Sequence, residues 1–276
     1  MKPPTALTHL CAIAWVVLIG FAAAAAGAVH TRIFGHDIFV FLDAGWRVLN
    51  GQRPEVDFNP SMGALMAWFA AAGLKLSGNS VNGIGYMSGL IAFIAGAWAY
   101  ALTRRMSGLA SVLAAGVIAL IAAAPFPTGW MPNVLSHAMV YNRYGYALLG
   151  LVVLECFLGV ERGFAAGLSS GILCVSLLFV KPSYCLAGVV LVCGSFFVQK
   201  NSWRRTSGLA IGAAAAGVAI MALLQFDLGA LWADLRLMGS ARGAGLSLWN
   251  LRWAFLKGTG EFLPLAMLAV LVAAIR

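Results

Sequence analysis

NPSMGALMAWFAAAGLKL, residues 59–76, decides how this chain is threaded. The stretch is apolar, but it is short, opens just after Pro60 and carries Lys75 near its end. If it crosses a membrane, every later loop falls on one side. If it dips in and returns, or lies in the interface, every later loop falls on the other.

That a membrane is involved follows from composition. Of 276 residues, 62% are hydrophobic and only 10% charged, and the mean hydropathy is +0.90, well beyond an ordinary soluble domain. Apolar blocks recur at about 7–29, 61–76, 84–102, 108–124, 144–160, 164–180, 183–199, 207–226 and 262–275. Blocks of this length, punctuated by Gly, Pro or Arg, indicate helical spans and not the short alternating strands of a barrel. The expected fold is all-α, a polytopic transmembrane bundle of about eight or nine apolar segments. It forms one membrane domain over 1–276 with two polar loops, 30–60 and 227–260.

Loop charge selects the threading. Short cytoplasmic loops are rich in Lys and Arg. With Lys2 inside and all blocks crossing, Arg104, Arg105, Arg162, Lys200, Arg204 and Arg205 would all lie outside. If block 61–76 does not fully cross, all of them move inside, and loops 30–60, 125–143 and 227–260 gather with Lys181 on the outer face. An N-out chain with every block crossing also repairs the short loops but separates 30–60 from the rest. The re-entrant version is preferred.

Other features read simply. Lys2 followed by CAIAWVVLIGFAAAAAGAVH looks like a signal peptide at first sight, but the apolar run is long and many spans follow, so an uncleaved first helix is expected. The net charge of +9 sits at helix ends and not in a soluble basic module, which argues against nucleic acid. Cys11, Cys156, Cys174, Cys185 and Cys193 fall in or beside apolar blocks without metal-ligand spacing and read as buried small hydrophobes. GAAAAG at 212–217 reads as a close helix contact.

The polar chemistry concentrates in HDIFVFLDAGWRVLNGQRPEVDF, residues 36–58. Phe39, Leu42, Trp46 and Leu49 at helical spacing suggest an amphipathic helix on the membrane surface, ended by Asn50 and Gly51. Arg47, four residues after Asp43, is placed to pair with it. QRPEVDFNP, with two prolines, is expected to be extended. Asp37, after His36 and close to the first span, is placed to act as a general base at a water and lipid boundary. Two more segments matter. MPNVLSHAMVYNRYGYALL (131–149) brings His137, Tyr141, Asn142 and Arg143 directly before a span, and LLFVKPSYCL (177–186) sets Lys181 between apolar flanks. An ionisable residue so placed is a functional candidate whose natural partner is a carboxylate on the same face.

A first span, a carboxylate-containing polar pair, a surface helix ending in Leu-Asn-Gly, a PEVDF segment and a Pro-led apolar block together resemble the start of the multispanning glycosyltransferases of the C-type (GT-C) fold. The likeness covers about residues 10–190 and is to bacterial members akin to protein O-mannosyltransferases and lipid A aminoarabinose transferases. LLFVKPSY resembles the segment where several of these enzymes keep an active-site lysine. Departures are present: His36 and Asp37 stand where relatives commonly have Asp-Glu, Glu55 stands where an aromatic is frequent, and relatives are usually longer, so the chain is expected to be a reduced relative or the N-terminal part of a longer transferase.

The resemblance implies transfer of a sugar, with inversion, from a polyprenyl-phosphate carrier to a lipid, glycan or protein acceptor on the outer face of a bacterial inner membrane. A carboxylate takes the proton of the nucleophile and cations stabilise the leaving phosphate. Asp37, Asp43 and Lys181 are the catalytic candidates. His36, Arg47, Arg53, Asp57, His137, Tyr141, Asn142 and Arg143 are candidates for holding substrate. Some relatives use a divalent metal, although no constellation of acidic ligands is visible. A transporter, a lipid flippase or a non-catalytic subunit is the rival expectation, with charges strung along a path through the membrane.

Overall fold

The computed structural model describes residues 5–28, 35–60, 62–104, 107–128, 131–158, 163–198 and 203–241. Two units are distinguished, Met1–Leu228 and Gly229–Arg276. Among the described residues the first unit holds nine helices: α1 (Ala6–Ala26), α2 (Gly35–Leu49), α3 (Ala64–Leu76), α4 (Gly83–Thr103), α5 (Gly108–Ala123), α6 (Val140–Leu158), α7 (Phe164–Val180), α8 (Pro182–Val198) and α9 (Trp203–Leu223). Between α5 and α6 runs a short antiparallel hairpin, β1 (Phe126–Thr128) and β2 (Met131–Ser136), in which Phe126 pairs with Ser136. The second unit is described only in α10 (Leu228–Ala241), which occupies the start of the segment expected as a polar loop. The last apolar block, 262–275, lies outside the described residues.

Among the described helices, α1, α4 and α9 are long and apolar enough to cross a membrane, while α3, α5, α7 and α8 are shorter apolar helices. Side-chain caps fix two starts: Thr5 accepts from the Thr8 amide at the head of α1 and Ser107 from Ala110 at the head of α5.

Small residues let the helices approach closely, and their contacts reveal direction. A methyl on Gly85 would lie 2.6 Å from the Ala23 carbonyl oxygen, and one on Gly20 would lie 3.0 Å from that of Gly89. At the far end of the pair, Tyr100 hydrogen-bonds His9. α1 and α4 are therefore antiparallel. The start of α5 meets the start of α1, since Gly108 faces Thr8, and Ser111 Oγ donates to the Thr103 carbonyl at 2.6 Å. α6 returns, its Arg143 Nε donating to the Ala124 carbonyl beyond the end of α5 at 3.0 Å. α7 and α9 run parallel, because Gly167 packs on Arg205 and Leu209 while Gly171 packs on Leu209 and Ala213.

These contacts sort the helix ends into two sets. One end of the bundle holds the end of α1, the starts of α4, α6 and α8, and the ends of α5, α7 and α9. Both ends of α3 belong to this same set. Its first turn meets α7, where the Gly63 amide donates to the Val180 carbonyl at 3.3 Å, and its last turn meets the start of α4, where Gly73 faces Gly83. In between, Phe69 packs edge-on to Tyr144, which itself hydrogen-bonds Ser88 at 3.0 Å. At about 1.5 Å per residue, its 13 residues span roughly 20 Å, short of a hydrocarbon core of about 30 Å. α3 is an end cap of the bundle and α2 packs on it, Gly45 sitting against Ala70 and Ala71.

α2 is helical over the expected stretch. Ile38, Phe41, Ala44 and Gly45 are buried. Phe39 is 70% exposed and Trp46 58%, so the apolar stripe read from the sequence faces away from the protein. The cysteines also divide: Cys156 and Cys174 are buried, Cys185 is half-buried, and Cys11 and Cys193 are exposed. Of the GAAAAG run, Gly212 makes the close contact, against the Leu168 backbone, while Gly217 faces open space.

Candidate functional site

The start of α2 is pinned to the turn before α6. Asp37 Oδ2 accepts the Met139 amide at 3.1 Å, and its Oδ1 lies 3.0 Å from His36 Nε2. Met139 holds a left-handed backbone, φ 54°, which presents its N–H at this point. Asp37 thus has partners in His36 and Met139. His137, two residues before Met139, is buried, and burial pushes its imidazole down to about 4.

One and a half turns further along α2 opens a cavity of about 450 Å³. Phe39, Val40, Phe41 and Ala44 of α2, Phe58, Pro60, Met62, Met66 and Ala67 give it apolar walls, and Asp43 and Asn59 supply the polar groups. Asp43 is ion-paired with Arg47, Oδ2 to Nε 2.7 Å, on an exposed surface. Arg47 reaches further, with its Nη1 3.4 Å from Gln52 Oε1 and its guanidinium 5.5 Å from the centre of the Phe58 ring. It therefore joins two lining residues of the cavity.

The segment expected to be extended, QRPEVDFNP, folds back on itself. The Asp57 amide donates to the Arg53 carbonyl at 2.8 Å and the Glu55 amide to that of Phe58 at 2.9 Å. Glu55 is buried and left-handed, φ 67°. The proline bias toward extended backbone is outweighed by the Arg53–Asp57 pair, in which Nη2 lies 2.9 Å from Oδ1 and Nε 3.0 Å from Oδ2. That hydrogen bonding holds the Asp57 carboxyl down at about 2. Arg53 also donates through Nη1 to Gln225 Oε1, 2.5 Å away beyond the end of α9. Arg53 and Asp57 thus serve to fold the loop that forms one cavity wall.

Behind the other wall lies Lys181. It follows α7 in an extended conformation, φ −168°, because Pro182 comes next and opens α8. Its ammonium lies 4.8 Å from the centre of the Tyr141 ring and 5.4 Å from that of Tyr184. Tyr141 is buried and packs at 6.2 Å against Phe41, a lining residue. Tyr184 donates to Asn142 Oδ1 at 2.6 Å. From the cavity the contacts run from Phe41 to Tyr141, Lys181, Tyr184 and Asn142. Arg143 is engaged with the Ala124 carbonyl. Tyr184 was not singled out from the sequence, although its place three residues after Lys181, one turn into a helix led by Pro182, puts it beside that lysine.

All the sequence-derived candidates thus fall at the end of the bundle that α3 closes. They form two neighbouring sets: the cavity set of Asp43, Arg47, Arg53 and Asp57, and the set at the starts of α2, α6 and α8, with His36, Asp37, His137, Tyr141, Asn142, Arg143 and Lys181. Among the described residues no group of three or more His, Cys, Asp or Glu side chains is arranged to hold a metal ion. No protein-family model, curated protein or solved structure matches the chain.

Proposed function

We propose that the protein is a membrane glycosyltransferase of the C-type fold that takes a sugar from a polyprenyl-phosphate carrier and works at the outer face of the membrane. In this reading α1 and α4 to α9 cross the bilayer, and α2 and α3 stay at the outer end. The basic residues near the opposite end, such as Arg104 and Arg204, then face the cytoplasm. The observation that carries the reading is the cavity, whose apolar walls end at a carboxylate and a guanidinium on a helix that exposes Phe39 and Trp46. An isoprenoid tail fits the apolar part and its phosphate meets the cation.

Asp43 is the carboxylate that lines the cavity, so it is the group placed to accept the acceptor's proton, while Asp37 holds the start of α2 in register. A phosphate entering the mouth competes with Asp43 for Arg47. The exchange binds the donor and frees the carboxylate in one step. Inversion follows when the acceptor oxygen or nitrogen bonds to the anomeric carbon opposite the departing phosphate. Its proton passes to Asp43 and the bonding pair of the cleaved C–O bond leaves on the phosphate oxygen, whose charge Arg47 stabilises.

Purified protein incubated with a panel of radiolabelled polyprenyl-phosphate sugars and membrane acceptors tests this. Label should move to acceptor with wild type and not with Asp43→Asn. If no donor in the panel is consumed, the transporter or subunit reading takes its place.

A further inference from the structure

The geometry points to Tyr184, Tyr141 and Asn142 as positioning residues for Lys181. Two tyrosine rings and one side-chain amide hold the ammonium against the back of the cavity wall and fix its reach. Only the purpose of this positioning, keeping the Phe41 and Tyr141 wall in place behind the donor, rests on the glycosyltransferase reading.

A lysine side chain carries four rotatable bonds and loses considerable freedom when it is held in one place. Lys181 has its backbone fixed first, by the extended link between α7 and α8 and by its own amide, which donates to the Leu177 carbonyl at 2.8 Å. The Lys181 carbonyl in turn accepts the Tyr184 amide at 2.9 Å, so lysine and tyrosine move together. The ammonium then meets two ring faces within the range of cation–π attraction.

Neither ring is free to turn away. Tyr141 is buried against Phe41. Tyr184 is held at its hydroxyl by Asn142 and at its edge by Tyr146, whose ring centre lies 5.6 Å away. A side chain on Gly145 would collide with the Tyr184 ring at 2.5 Å, so the absence of a Cβ there gives the ring its seat. α6 thus supplies one ring, the amide and the glycine, and α8 supplies the second ring and the lysine's carboxy-terminal neighbour.

The test uses full-length protein in detergent micelles. Acylation of Lys181 by a water-soluble amine-reactive ester is followed by mass spectrometry, with exposed Lys75 as internal standard. Wild-type Lys181 should label slowly. Tyr184→Leu should raise its rate relative to Lys75 by about fivefold, the size of one lost cation–π contact. Tyr184→Phe and Asn142→Leu, which keep the ring and remove only its anchor, should give a smaller rise of the same size as each other, and the two combined should give no more than either alone. Equal Lys181 labelling in wild type and in a folded Tyr184→Leu protein, or additive effects of the two anchor variants, would overturn the assignment. Donor KM read on the same proteins separates the two claims. A labelling change with no transfer by wild type refutes the glycosyltransferase reading and leaves the positioning intact, whereas transfer with unchanged labelling does the reverse.

Discussion

The Asp37 carboxylate accepts the Met139 amide at 3.1 Å across 102 residues of sequence. This bond joins the first turn of α2 to the turn that launches α6, and it gives a structural task to Asp37, the carboxylate that the sequence favours as general base. Asp37 ties the site together, while Asp43 faces the cavity.

The separation is measurable. Asp43→Asn should lower transfer by ~10² to 10⁴, the usual contribution of a general base, with the melting temperature little changed. Asp37→Asn keeps an oxygen acceptor for Met139 and should retain most activity, whereas Asp37→Ala loses the bond and should cost about 1 kcal/mol of stability. Steady-state rates and thermal melts on the three variants decide between them. A dead Asp37→Asn beside an active Asp43→Asn would exchange the two roles.

Arg47→Ala removes an exposed pair, and exposed pairs are worth ~1 kcal/mol at most. Its melt should hardly move, yet its donor KM should rise, because the proposed function assigns the donor phosphate to this guanidinium. Arg47→Lys should recover only part of that loss, since an ammonium lacks the two-pronged geometry. An unchanged KM in Arg47→Ala would place the donor phosphate elsewhere.

Buried His137 makes stability depend on pH in a defined window. Its imidazole is lowered from 6.5 to about 4, so between these values the unfolded chain binds more protons than the folded one. Stability from this group is complete above pH 6.5 and falls as pH drops toward 4, by up to roughly 3 kcal/mol. Asp57, lowered from 3.8 to about 2, acts at lower pH: its contribution is present above 3.8 and is lost as pH falls through 2. Thermal melts of wild type and His137→Gln from pH 7.5 to 4.5 should show a slope in the first and a flatter line in the second. Parallel lines would remove His137 as the cause.

Gly63 is where α3 meets α7. A methyl there would lie 2.2 Å from the Phe179 carbonyl oxygen and 2.5 Å from its carbon, and backbone yields poorly. Gly63→Ala should destabilise by ~1 to 3 kcal/mol or more, and it should loosen the cavity wall that includes Met62. Gly51→Ala, at φ 82° with nothing nearby, should cost ~1 kcal/mol through backbone strain alone. A Gly63→Ala protein as stable as wild type would mean that α3 sits away from α7.

The sequence was most informative where one local rule dominated. The Asp43–Arg47 pair follows from helical spacing and the break at Lys181 from Pro182. It was least informative where long-range contacts compete. The stripe of Phe39, Trp46 and Leu49 is exposed, but nothing in its spacing says that α2 packs on the protein through a second face. The narrower face of Ile38, Phe41, Ala44 and Gly45 is set by Ala70 and Ala71 of α3. The fold-back of 53–58 depends on Arg53 finding both Asp57 and Gln225, 172 residues away, and no local signal announces that. Tyr184 was overlooked because its meaning comes from Asn142 on another helix.

The threading of α3 underlies every proposed role, and single-cysteine labelling tests it most directly. In a background with the five native cysteines replaced, Asn59→Cys, Gly78→Cys and Ser183→Cys each place a thiol at an exposed position. A membrane-impermeant maleimide added to intact cells should label all three from outside, and should label Arg204→Cys only after permeabilisation. Labelling of Asn59→Cys and Gly78→Cys from opposite sides of the membrane would contradict the account, because α3 would then cross and the cavity would no longer share a face with Lys181.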